Sequence, residues 1–157
     1  MSEPNIRLPQ GGRTDSDLDA VATAALRVPA RPACLALVGT VVQWFGRQAG
    51  LSEERCQELE VAVDEACTNV IRHAFPPATN GEMTIACSAS DRGLEVTVQD
   101  KGKPFNPKEG VEIAREKRSR DLASGGMGLL LIDQLTDAVR YRWDEREGNQ
   151  FTLVKHK

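Results

Sequence analysis

The chain has 157 residues, 40% of them hydrophobic and 27% charged, with a formal net charge of −3. That length suits one domain with a real hydrophobic core. The slight acidity gives no global electrostatic case for nucleic acid or an anionic membrane. No uninterrupted apolar run approaches the roughly 20 residues that a membrane span needs.

Residues 1–23, opening MSEPNIRLPQGGRTDSD, read as a flexible polar tail. They lack the basic start and apolar stretch of a signal peptide, and a cytoplasmic protein is expected. The domain is expected over 24–157, with ALRVPA as a short first strand. In ARPACLALVGTVVQWFGRQAG, Leu35, Val38, Val42 and Phe45 fall at helical spacing, and Gly50 closes the helix. Ser52 is an N-cap ahead of Glu53, Glu54 and Arg55, and this second helix is expected to run to about His73, before Pro76 and Pro77. Period two follows. Met83, Ile85, Cys87 and Ala89 share one strand face, as do Leu94, Val96 and Val98 after the turn SDRG. A long charged loop precedes a short apolar helix, GLLLIDQLTD, and a second hairpin carries Val139, Tyr141 and Trp143, then Phe151 and Leu153. The order β, α, α, β, β, loop, α, β, β predicts an α+β two-layer sandwich, its helices packed on one face of a mostly antiparallel sheet. Cys34, Cys56, Cys67 and Cys87 are scattered without a CxxC pair. Apolar surroundings for Cys67 and Cys87 favour buried thiols over a metal site or disulfides.

Three places break the core pattern. In VDEACTNVIRHAF, Glu65, Asn69 and His73 recur every fourth residue; from Glu65, they lie at about 0°, 40° and 80° on a helical wheel, beside the apolar group Leu59, Val63, Ala66 and Val70 at about 100–160°. Such a column is either a solvated edge or the wall of a cleft, where a carboxylate serves as general base and an Asn oxygen as a ligand for Mg²⁺. Asp64 is a rival base but points away from Asn69. Counting by twos from Leu94 puts Asp100 on the apolar face of its strand. Either the strand has ended there, or the carboxylate accepts a hydrogen bond from a buried amino group such as that of an adenine. Gly102 then permits close backbone approach, and Pro104 and Phe105 form an apolar lid. Third, Gly125, Gly126 and Gly128 open a helix in SGGMGLLLI. They serve either to turn the chain or to expose amides to phosphate. The pattern is neither GxGxxG in a βαβ unit nor GxxxxGK[ST].

In this order, the three segments resemble the nucleotide-binding boxes of the GHKL superfamily, the Bergerat-fold ATPases. DEACTNVIRHAF looks like the N box, DKGKPF the first glycine box and GGMGLLLI the second, with an ATP lid at about 102–126. The form E-A-x-T-N-x-x-x-H-A, the DxGxPF box and the closing GNQFTLVK look most like bacterial anti-sigma-factor serine kinases. The resemblance implies ATP and Mg²⁺ as cofactors, Glu65 as catalytic base and Asn69 as metal ligand. It implies Asp100 as the adenine acceptor beside Gly102, Pro104 and Phe105. Gly125, Gly126, Met127, Gly128 and Leu129 would border the phosphates, and Thr152 would face the adenine. His73 matches a recurrent position with either a structural or a ligand-binding role. Lys101, Lys103 and the lid's Arg115, Lys117, Arg118 and Arg120 would contact phosphate or an acidic partner, or form a solvated face. Some of these kinases carry an arginine just ahead of the second glycine box, and here the nearest is Arg120. Implied partners are a sigma factor, an anti-sigma-factor antagonist phosphorylated on Ser or Thr, and a second copy in a homodimer. The alternative is a non-catalytic ATP-binding regulatory module of the same fold. A histidine-kinase catalytic domain is a further rival, but no separate phosphoacceptor segment is expected, since the other histidine is the near-terminal His156.

Overall fold

The structure is a computed structural model that describes residues 20–105 and 127–157. Five strands, β1 (Ala20–Pro29), β2 (Glu82–Ser90), β3 (Gly93–Asp100), β4 (Ala138–Asp144) and β5 (Gly148–His156), form one sheet in the order β1-β2-β3-β5-β4. Every neighbouring pair is antiparallel. The helices are α1 (Leu35–Gln48), α2 (Glu53–Asn69) and α3 (Met127–Leu135). This is the expected α+β architecture.

Strand alternation puts Met83, Ile85, Cys87, Ala89, Leu94, Val96, Val98 and Leu153 on one buried face. The helices cover it with Val38, Val42, Phe45, Leu59, Val63, Cys67, Leu129 and Ile132 in the same core. The opposite face carries Thr84, Thr97, Gln99, Gln150 and Thr152, which are half-buried. Period two thus separates the faces, as the pleat requires.

Two boundaries differ from expectation. β1 begins at Ala20, inside the stretch read as tail, because Ala20–Pro29 pairs along the whole of β2. Its alanines have little intrinsic strand preference; the partner strand supplies what propensity does not. The second helix is regular only to Asn69, after which Val70–Ala74 form a π-helical turn. Phe75 then extends (φ −119°, ψ 149°), as a residue ahead of proline must. The N-cap at Ser52 is as expected, its side chain accepting from Arg55 N at 3.3 Å.

The end of α3 is held by buried charge. Lys155 is 4% exposed, and its Nζ donates to Leu135 O at 2.7 Å while pairing with Glu58 at 2.6 Å. Beside it, Arg55 pairs with Asp137 at 2.8 Å and donates through Nε to His156 O at 2.7 Å. α2, α3 and β5 are therefore joined at one end by ammonium and guanidinium groups that satisfy a helix terminus.

Cys56, Cys67 and Cys87 are buried free thiols and Cys34 is half-buried. Burial pushes both Cys67 and Cys87 up to about 12, so no thiolate forms near neutrality.

Lys155→Ala would strand the Leu135 carbonyl and leave Glu58 unpaired. A loss of about 3 kcal/mol in unfolding free energy is expected, against less than 1 kcal/mol for Arg27→Ala, whose ion pair with Glu82 is exposed. Urea denaturation of both variants is the check; equal effects would remove the staple from the stability argument.

Candidate functional site

Between α2, its π turn and the β3–β5 half of the sheet lies a cleft of about 450 Å³, open mouth included. Its walls are mainly apolar: Ala66 from α2, Val70 from the π turn, Val98 and Phe151 from the sheet, and Leu129 from α3. The polar side chains in it are Asn69, His73, Asp100, Lys103, Tyr141 and Asn149.

Asp100 is the electrostatic centre. It is 6% exposed. Burial raises its pKa above the ordinary carboxylate value, and hydrogen bonds from Asn149 and Gly102 oppose that rise. Both bonds converge on Oδ1: Gly102 N at 2.8 Å and Asn149 Nδ2 at 3.0 Å. Among the described residues none reaches Oδ2, so Asp100 offers the cleft one unused acceptor in low-dielectric surroundings. A ligand amino group is the natural complement.

The loop after Asp100 is pinned from two sides. Lys103 N donates to Ala74 O at 2.9 Å, which ties the loop to the π turn. A Cβ on Gly102 would collide with that same Ala74 carbonyl, so glycine is required there by the protein's own backbone. Phe105 N donates to Asn149 Oδ1 and to Tyr141 OH, both at 3.1 Å. π-turns of this kind gather at functional sites; here the turn supplies Val70, His73 and Ala74 to the cleft.

Of the residues expected from sequence, Asn69, His73, Asp100, Phe105 and Leu129 line the cleft. Glu65 stands beside α3, its Oε2 filling the space where a Cβ on Gly128 would be. Gly102 packs against the Ala74 carbonyl, Pro104 is exposed, and Met127 is 52% exposed at the start of α3. Gly125, Gly126 and the lid from residue 106 onward lie outside the described residues. Asp64 is exposed and lines no part of the cleft.

One expectation is corrected. Thr152 does not face the cleft: it pairs with Thr97 across β3 and β5, hydroxyl to hydroxyl at 2.8 Å, on the opposite side of the sheet. The alternation of Phe151 and Leu153 dictates this. The β5 residue that reaches the site is Asn149, opposite Asp100 in register. Stepping back by twos from Leu153 and Phe151 lands on it, the same signal that marked Asp100.

The described residues contain no cluster of three or more His, Cys, Asp or Glu able to hold a metal by themselves. A hard cation here would need oxygens from a bound ligand alongside the protein's, which is how Mg²⁺ is commonly held.

Residues 28–155 match the histidine kinase-like ATPase domain family. The chain is 35% identical over 124 residues to "Serine-protein kinase RsbW" of Listeria innocua, covering 76% of this chain and 79% of the relative. It is 30% identical over 127 residues to the protein of the same name from Bacillus subtilis, covering 73% and 74%. Among solved structures, the histidine kinase domain of the blue-light-activated histidine kinase EL346 from Erythrobacter litoralis matches with a TM-score of 0.48 and 18% identity, over 87% of this chain and 65% of that one.

Because burial raises the Asp100 pKa, the folded state binds its proton more tightly than the unfolded chain. Stability is therefore lost as pH rises from the ordinary value of 3.8 through the raised one. Asp100→Asn keeps an acceptor for Gly102 N and Asn149. The ligand-free variant is expected to equal or exceed the parent in stability at pH 7, with the difference shrinking toward pH 4. Thermal unfolding across that range tests it; a gap that widens on acidification would reverse the sign.

Proposed function

We propose that this chain, which belongs to the histidine kinase-like ATPase domain family, is an ATP-dependent protein serine/threonine kinase that also acts as an anti-sigma factor. The observation that carries this reading is the buried Asp100, with one carboxylate oxygen committed to Gly102 and Asn149 and the other open in an apolar cleft. An adenine offers an amino group to that oxygen and flat apolar faces to Val98, Leu129 and Phe151. The serine-kinase names of the relatives support the transfer chemistry.

The arrangement of the remaining residues suits phosphoryl transfer by positioning and charge neutralisation. Asn69 sits one helical turn from Glu65 on α2, so a ligand's phosphates and a helix-borne base would share one end of the cleft. Asn69 would help to hold Mg²⁺ alongside phosphate oxygens, and the ion would neutralise charge that builds up during transfer. Glu65 takes the proton from the attacking serine or threonine hydroxyl of the substrate protein. Met127 and Gly128 open α3 and direct main-chain amides toward the phosphates, with Gly125 and Gly126 ahead of them in sequence. Lys103 lines the same cleft and adds positive charge.

The protein substrate is an anti-sigma-factor antagonist, and a separate surface binds the sigma factor. Phosphorylating the antagonist releases the kinase for its sigma factor, so the phosphorylation state decides which complex forms. The active species is a homodimer in the cytoplasm. No helix among the described residues is long and apolar enough to cross a membrane.

Two measurements test the reading together. A non-hydrolysable ATP analogue with Mg²⁺, at about 100 times its Kd, should raise the unfolding free energy by about 2.7 kcal/mol. Glu65→Gln should keep that stabilisation and lower phosphate transfer from γ-labelled ATP to candidate antagonists at least ~100-fold. Stabilisation without transfer in the parent protein would reduce the chain to a nucleotide-binding module, and full transfer by Glu65→Gln would remove Glu65 as the base. Gly128→Ala is expected to push the Glu65 carboxylate aside, lowering transfer about tenfold or more while costing about 1 kcal/mol or less in stability; both are read from the same two assays.

A further inference from the structure

We infer that Asn149 is the positioning residue of the base-recognition site: one buried side-chain amide fixes the rotamer of Asp100 and the path of the loop 100–105 at once. This rests on the nucleotide reading above.

Asn149 is 5% exposed. Its Nδ2 donates to Asp100 Oδ1 at 3.0 Å and to Lys103 O at 2.9 Å, with Gly102 O a weaker third acceptor at 3.4 Å. Its Oδ1 accepts from Tyr141 OH at 2.6 Å and from Phe105 N at 3.1 Å. A primary amide has two N–H donors and one carbonyl acceptor, and here the site's own groups engage both ends. The orientation is fixed by those partners. Phe105 N–H can be met only by the oxygen, and the Lys103 carbonyl only by the nitrogen. Rotating the amide by 180° would break both contacts.

The consequence for recognition is geometric. Asp100 has two equivalent oxygens, and without a fixed donor either could turn toward the cleft, or both could turn away. Asn149 and Gly102 N hold Oδ1 back, which presents Oδ2. Gly148 (φ 75°) precedes Asn149, and a Cβ there would strike the Asp100 carbonyl oxygen. The β4–β5 turn therefore lies directly on the backbone it supports. Asn149 and Asp100 face each other in register on β5 and β3, strands far apart in sequence.

The test compares two probes, an ATP analogue and purine riboside triphosphate, which lacks the 6-amino group. Both are titrated into the full chain with Mg²⁺ by calorimetry. The parent should favour the adenine compound, and Asp100→Asn should erase most of that preference. If Asp100→Asn binds both probes as the parent does, the nucleotide reading itself fails. Asn149→Ala is expected to lower the preference about tenfold, the scale of one lost charged hydrogen bond. The double variant should discriminate no worse than Asp100→Asn alone, since Asn149 acts through Asp100. A parent-like preference in Asn149→Ala, or effects that add in the double variant, would overturn the inference. Should Asn149→Ala fail to fold, Tyr141→Phe carries the test. It removes the hydroxyl that donates to Asn149 Oδ1 and is expected to lower the preference about threefold; an unchanged preference there counts against the inference.

Discussion

A buried carboxylate with half of its hydrogen-bonding capacity already used is the constraint around which this fold is arranged. Taking Asp100 out of water costs free energy that two donors only partly offset, and the remainder shows as a raised pKa. Keeping the group there requires several things of its neighbours. Gly102 must be a glycine so that its amide can approach. β5 must lie beside β3 so that Asn149 can donate. The π turn must end at Ala74 so that the loop has a carbonyl to rest on. A loop glycine, one main-chain amide, one side-chain amide and the junction with the π turn thus all serve one charged group in an apolar place.

The wall that α3 lends to the cleft through Leu129 depends on how that helix is fixed. Glu65 abuts its first turn at Gly128, and Lys155 with Glu58 holds its last. A nine-residue helix has little stability of its own. Its placement comes from the apolar contacts of Leu129 and Ile132 and from the Lys155 ammonium on its C-terminal carbonyl. The end that would meet phosphates and the end that carries the buried ammonium belong to one short rigid rod.

Much of this was legible in local pattern. Period two marks both hairpins, the proline pair marks where helical structure of any kind must stop, and counting from Leu94 places Asp100 on the buried face. What was missed required non-local information. Asn149 carries the same alternation signal as Asp100, but its meaning depends on β5 being inserted between β3 and β4, which no local pattern states. Family likeness points Thr152 at the adenine, whereas the flanking Phe151 and Leu153 put it on the other face. The start of β1 has no local signal because alanine-rich sequence has weak strand character, and the π turn has none because its residues suit an α-helix equally well. The contact of Glu65 with Gly128 depends on the packing of two helices separated by the whole first hairpin.

The glycines bear on how such sequences should be compared. Gly102 is demanded by the Ala74 carbonyl and Gly148 by the Asp100 carbonyl, whereas Gly128 meets only the movable end of the Glu65 side chain. A descendant that had lost its ligand altogether would still be under pressure to keep Gly102 and Gly148, because the backbone would not close without them. Retained glycine boxes are therefore a record of architecture. The diagnostic of a living site is the cluster of groups that folding alone does not require: a second oxygen on Asp100, an amide at Asn69 and a carboxylate at Glu65.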